Sequence, residues 1–248
     1  MIYKAGDAAA AIHRFMCKDP RFGYTQGAGR WGDSPSGDMA IFKWQGFRYE
    51  IPAGDYDCSS SVTMAWQKAL EPTPYKGALG ETGYNSSGMW VSWYTGNIEP
   101  GFRASGLFAS KSAAFLASPG DLYLQTAHHV AMCQTQYPDV LSEFVSNEVG
   151  GIVGGVIGDQ TGNESVIRAY YDWPDGGWSC IMHYNGKADF EIGEDMTPKD
   201  VWAYRNKDIA QIDAYAYLIE THTMCKQLMR EITHLESEVI KLKSERKG

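Results

Sequence analysis

Along the first seventy positions the apolar residues fall into three patterns, each of which predicts an element. Residues 6 to 18 (GDAAAAIHRFMCK) are rich in alanine and carry Ile12, Phe15 and Met16 on one side before Asp19-Pro20, which predicts a first helix that stops there. A Gly- and Ser-rich stretch from Gly27 to Gly37 predicts a loop. The run FKWQGFRYEI that follows alternates on both sides of Gln45-Gly46, as a β-hairpin does. After Asp57, the segment SSSVTMAWQKAL sets Val62, Ala65, Trp66 and Ala69 at helical spacing, with Asp57 or Ser59 as a ready N-cap.

Farther along, the period changes from 3.6 to 2. Residues 121 to 133 (DLYLQTAHHVAMC) and 139 to 148 read as strands, and Val166 to Tyr171 and Trp178 to Tyr184 as two more, with turns at Pro174 to Gly177. Helices first and antiparallel strands later predict an α+β fold. The core domain is expected to end close to Tyr204, giving residues 1–204 as one domain and 205–248 as a C-terminal helical segment. In that segment Leu218, Cys225, Ile232 and Val239 occupy heptad position a, and Thr221, Leu228, Leu235 and Leu242 position d. β-branched residues at a with Leu at d favour a parallel dimer, so self-association through a coiled coil is expected, against a helix folded back on its own domain.

Composition narrows the function classes. With 44% hydrophobic and 21% charged residues the chain can bury a substantial core and is not a disordered polymer. Residues 1–204 hold 14 basic against 23 acidic residues and residues 205–248 eight against seven, so the net charge of −8 lies in the core domain. Nucleic acid is a disfavoured partner, because neutralising phosphates needs a basic surface. The apolar run from Ala8 to Ile12 is too short for a secretory signal, and no stretch approaches a membrane span. The chain is therefore expected to be made in the cytoplasm.

Five cysteines (Cys17, Cys58, Cys133, Cys180, Cys225) without a C-x-x-C pair suggest neither a disulfide framework nor a structural zinc site, and no metal or cofactor is expected. A thiol attacks an amide carbonyl as the thiolate, which a helix N-terminus favours. Cys58 has that placement, directly after a potential cap. Cys17 falls at a helix end, Cys133 and Cys180 within predicted strands and Cys225 in the heptad seam, positions that suit inert buried thiols.

Asp57-Cys58-Ser59-Ser60, Pro119-Gly120-Asp121-Leu122 and His128-His129-Val130-Ala131-Met132 occur in the order and at the spacing of the NlpC-like and CHAP (cysteine, histidine-dependent amidohydrolase/peptidase) families, and the chain resembles them. Phe22-Gly23-Tyr24-Thr25-Gln26, Arg30-Trp31-Gly32, the run Gly158-Asp159-Gln160-Thr161-Gly162-Asn163-Glu164 and Ile167-Arg168 add a similarity to phage lysins of Gram-positive hosts, over roughly residues 5 to 185. The resemblance implies a papain-like domain, with a nucleophile helix packed on an antiparallel sheet, that cuts amide bonds of peptidoglycan. It makes Cys58 the nucleophile and His129, directly before Val-Ala-Met, the general base. His128 is expected on the opposite face of the same strand, and His13, His183, His222 and His234 at surface or structural positions.

The third catalytic member implied is Glu143, on the strand after the base, with Asn147 and Glu148 as rivals. Tyr24, Asp57 and Ser59 match positions that hold the free amine of a stem peptide; helix capping for Asp57 and Ser59, and core packing for Tyr24, explain them equally well. The implied reaction is that of an endopeptidase or an N-acetylmuramoyl-L-alanine amidase, made in the host cytoplasm and reaching the wall after holin-type release. Two other readings stand beside it: a phage structural or wall-binding protein without turnover on the same scaffold, and a transglutaminase-like acyl transferase.

Overall fold

Both helices that the apolar spacing predicts are present, and they pack against each other. The computed structural model describes residues 2–192, except 28, 33, 35, 81–82, 85–89, 92, 137–138, 159–161 and 175. All belong to one compact unit, Met1–Lys199. The domain boundary at Tyr204, the heptad segment, Cys225, His222 and His234 lie outside the described residues.

In chain order the elements are β1 (Ile2–Tyr3), α1 (Ala5–Met16), β2 (Phe22–Tyr24), β3 (Met39–Trp44), β4 (Phe47–Pro52), β5 (Gly54–Tyr56), α2 (Cys58–Leu70), β6 (Gly83–Tyr84), β7 (Trp90–Val91), α3 (Thr95–Ala104), β8 (Phe108–Lys111), β9 (Leu122–Gln125), β10 (His129–Thr135), β11 (Val140–Phe144), β12 (Ser165–Ala169), β13 (Cys180–Tyr184) and β14 (Phe190–Glu191). The fold is α+β. Among the described residues six strands form an antiparallel sheet in the order β12-β11-β10-β9-β13-β8, beside four two-stranded pairs, of which β2-β5 is parallel.

Alternation along these strands gives the sheet two buried faces. Leu122, Leu124, Val130, Met132, Phe144 and Met182 join the large core that includes α1 and α2. Tyr123, Ala131, Cys133, Leu141, Trp178 and Ile181 form a smaller cluster on the other face, with Tyr171 and Trp173 packed against it. Residues 121–133, read from sequence as one strand, are a hairpin: Gln125 pairs with His129 across a turn at residues 126–128. His128 therefore sits exposed in that turn and not on the opposite face of a strand.

Local chemistry fixes the positions that matter for the site. Asp57 caps α2 by accepting from the Ser60 N–H at 2.6 Å, and Ser60 Oγ accepts from the Asp57 N–H at 2.9 Å, a reciprocal capping box. The hydroxyls that make α2 look polar turn inward to its own backbone: Ser61 donates to Cys58 O and Thr63 to Ser59 O. Pro119-Gly120-Asp121 forms a tight corner against α1. Gly120 has φ +90°, and a Cβ there would come within 2.6 Å of Gly6 O. Asp121 ties that corner to β13, accepting from Ser118 N–H, Tyr184 N–H and His183 Nδ1.

Candidate active site

Cys58 is the first residue of α2 and His129 the first of β10, and the thiol stands close enough to the imidazole to act on its protonation. Both are buried, at 5% and 7% exposure. The far side of the imidazole is held by Glu143, whose Oε2 lies 2.6 Å from His129 Nε2, which leaves Nδ1 for the thiol. Strand register explains the reach. Met132 pairs with Ser142, so Glu143 stands across from Ala131 and diagonal to His129 on the same face.

One strand farther, Arg168 pairs with Leu141 and is diagonal to Glu143 in turn, where its Nε donates to Glu143 Oε1. Tyr171 donates its hydroxyl to Oε2 at 2.8 Å and lies beneath the Arg168 guanidinium, 4.1 Å from ring centroid to Cζ. A buried carboxylate thus has its acceptors filled by His129, Arg168 and Tyr171. Trp173 lies nearly parallel to the His129 ring, with centroids 5.1 Å apart, and Trp178 flanks it.

The electrostatics follow from these partners. Burial on its own lowers the pKa of His129, but the hydrogen bonds to Cys58 and Glu143 and the negative charge of both groups outweigh it and raise the value to about 9. Burial likewise works against ionised Glu143, yet His129, then Arg168 and Tyr171, keep its pKa below the ordinary carboxylate value. The other described thiols are free, buried and placed otherwise. Burial pushes Cys17 and Cys133 up to about 12 and raises Cys180 as well.

Glu143, and not its rivals, touches the imidazole. Asn147 organises the next loop, accepting from Val149 and Gly151 N–H and donating to Val153 and Gly154 carbonyls. Glu148 accepts from Val156 N–H in the same loop. That loop presents Val149, Ile152, Val153, Val156 and Ile157 to solvent and rests on the β2-β5 pair, through Gln26 N–H to Ile152 O and Gly158 N–H to Asp55 Oδ1.

Tyr24, Asp57 and Ser59 also gather around the thiol. Ser59 Oγ is 3.8 Å from Cys58 Sγ. Burial, then the charge of Cys58, raises the pKa of the Tyr24 phenol, whose oxygen accepts from Gln26 Nε2 at 2.9 Å. Asp57 has both carboxylate oxygens engaged, Oδ1 by the Ser60 N–H and Oδ2 by Arg30.

The sequence alone assigns no role to Arg30, Arg168, Tyr171 and Trp173, although Arg30 and Arg168 stand in the stretches that carry the family resemblance. The signal for Arg168 is its place two residues out of register with Glu143, visible only once β11 and β12 are paired. Asp159, Gln160 and Thr161 lie outside the described residues. Among the described residues no three His, Cys, Asp or Glu side chains come together in a metal-binding group. No helix among them is long and apolar enough to cross a membrane.

What the arrangement can do is nucleophilic acyl chemistry: a thiol at a helix start, a base within hydrogen-bond reach and a buried carboxylate that orients the base. Comparison of the chain with protein-family models, with curated proteins and with solved structures finds no match.

Proposed function

We propose that the protein is a cysteine-dependent peptidoglycan hydrolase of the phage-lysin kind, on a papain-like scaffold, which cleaves amide bonds of the wall peptide. The observation that carries the chemistry is His129, hydrogen-bonded to the fully buried carboxylate of Glu143 and electrostatically coupled to the Cys58 thiol. The choice of substrate rests on the resemblance around Cys58, Asp121 and His129. Acting on the wall would follow release from the host cytoplasm by a holin-type partner.

His129 takes the proton of Cys58, and Glu143 stabilises the imidazolium. The sulfur adds to the scissile carbonyl carbon. The first N–H groups of a helix lack partners within it, so the Cys58 N–H is placed to donate to the developing oxyanion, while the Ser60 N–H is already held by Asp57. Collapse of the tetrahedral adduct breaks the C–N bond as His129 protonates the departing amine, leaving a thioester on Cys58. Water, deprotonated by His129, then releases the acid and restores the thiol.

Digestion of purified cell walls beside Cys58→Ala, with mass spectrometry of the fragments, tests this. Glycan freed of intact stem peptides identifies an amidase, shortened stems an endopeptidase and newly ligated peptides an acyl transferase. Walls left intact, or digested equally fast by Cys58→Ala, refute the proposal.

A further inference from the structure

We infer that Arg168 is a positioning residue of the active site: set against Glu143, its charge keeps the proton shared by Glu143 and His129 on the imidazole, and so keeps Cys58 ready as a thiolate. The inference rests on the proposed function only in taking Cys58 as the nucleophile.

Sheet register brings Arg168 to this place. It pairs with Leu141 on β11, and its Nε–H donates to Glu143 Oε1 while His129 and Tyr171 hold Oε2. Its side chain is 48% exposed, whereas that of Glu143 is fully buried. A cation so open to water needs something to fix it on its partner, and the Tyr171 ring does so, with the guanidinium Cζ 4.1 Å from the ring centroid.

Charge counting gives the contact its consequence. With Cys58 ionised, His129 protonated and Glu143 ionised, the three side chains carry two negative charges and one positive, and a net charge withdrawn from water is costly. Arg168 brings the set to neutrality. The other titratable groups that face Glu143 supply no positive charge: His13 on α1 has its pKa lowered to about 3 by burial, Cys17 just after α1 is pushed up to about 12, and burial also raises the Tyr171 phenol. Without Arg168 the buried set becomes neutral by taking up a proton. On Glu143 that proton ends the pull on the imidazolium; on Cys58 it removes the nucleophile.

An ion pair that only ties β11 to β12 would leave every titration where it is, so the test reads pH. The full-length protein is alkylated with iodoacetamide, a neutral reagent, from pH 4 to 9, and the rate at Cys58 is followed by peptide mass mapping. Circular dichroism checks the fold of each variant. Arg168→Gln is expected to move the pH of half-maximal rate up by about one unit, the low end of what an opposite charge beside a carboxylate is worth, because Arg168 is half exposed. Arg168→Lys restores the charge and should undo most of that shift.

A rise of about half a unit or more in Arg168→Gln that Arg168→Lys reverses at least in part supports the inference. A smaller rise, or an equal rise in Arg168→Lys, overturns it. If Arg168→Gln does not fold, Arg168→Met, which keeps the stem over Tyr171 and drops the charge, is read by the same limits. Alkylation needs no wall, so the two proposals fail separately. Intact walls with the shift as expected would sink the hydrolase reading alone, and digested walls with no shift the role of Arg168 alone.

Discussion

Two histidines are buried, His13 on α1 and His129 on β10, and their surroundings shift their pKa values in opposite directions. His13 on α1 is fully covered, with Ser142 Oγ 2.6 Å from Nδ1 and Ser61 Oγ 3.1 Å from Nε2. Ser142 accepts from Gln134 Nε2, so its own proton goes to Nδ1 of His13, and Nε2–H donates to Ser61, which donates to Cys58 O. That chain satisfies every member with the imidazole neutral, and burial lowers the pKa of His13 to about 3 despite the nearby charge of Glu143. His129 loses water as completely but faces a carboxylate and a thiol, and rises to about 9. Burial penalises charge in both; the partners decide which way the ring goes.

The comparison breaks most severely at Glu143. Glu143→Gln keeps the shape and removes the charge, and it is expected to lower kcat/KM on wall suspensions about 10³–10⁴-fold, as loss of the orienting carboxylate does in a triad. It should also move the alkaline limit of activity to lower pH, since His129 loses one of its two raising partners. Activity within tenfold of the parent would mean that Glu143 is a structural acid.

His13→Leu tests the other half. It strips acceptor and donor from Ser61 and Ser142, and is expected to cost about 1–3 kcal/mol of stability in urea titration. The Cys58 alkylation rate should remain within a few-fold of the parent.

Opposite pKa shifts predict opposite pH slopes. The folded-state value of His13 lies below its ordinary 6.5, so its contribution is intact above pH 6.5 and falls by about 1.4 kcal/mol per unit as pH drops towards 3. His129 is shifted the other way, and what it adds is complete below pH 6.5 and is lost as pH rises through about 9. Thermal unfolding across pH should therefore show His13→Asn flattening the acid side and Cys58→Ala shifting the alkaline loss to lower pH. If neither variant changes its side of the curve, the assignment of charge states fails.

The smallest effect is expected at Tyr171. Tyr171→Phe removes one of several hydrogen bonds to Glu143, and kcat/KM should fall about three- to tenfold with the pH limits nearly unchanged.

The placement of Cys58 at a helix start can be read from the chain because it is local: Asp57 caps, Ser60 closes the box, and Val62, Ala65, Trp66 and Ala69 set the helical face. The hairpin at Gln45-Gly46 was equally plain, since both residues adopt positive φ, as its tight turn requires. Helix α3 gave no such signal. It contains Gly96, Pro100 and Gly101 and is fastened by packing of Phe102 against Trp93, a contact that no propensity foretells. Pairing of β2 with β5 in parallel joins three-residue strands thirty positions apart, too short for a periodic pattern. Within the site, the family resemblance points to Cys58, His129 and Glu143, whereas the contacts of Arg168, Tyr171 and Arg30 depend on register and loop placement.

The state of His129 itself is the most direct test. Histidine ring resonances of the isotopically labelled protein, assigned with His13→Asn and His129→Asn and followed from pH 4 to 10, should show His129 protonated at neutral pH and titrating near 9, while His13 stays neutral throughout. A His129 that is neutral at pH 7 and titrates at 6.5 or below would contradict the account of how Cys58 is activated.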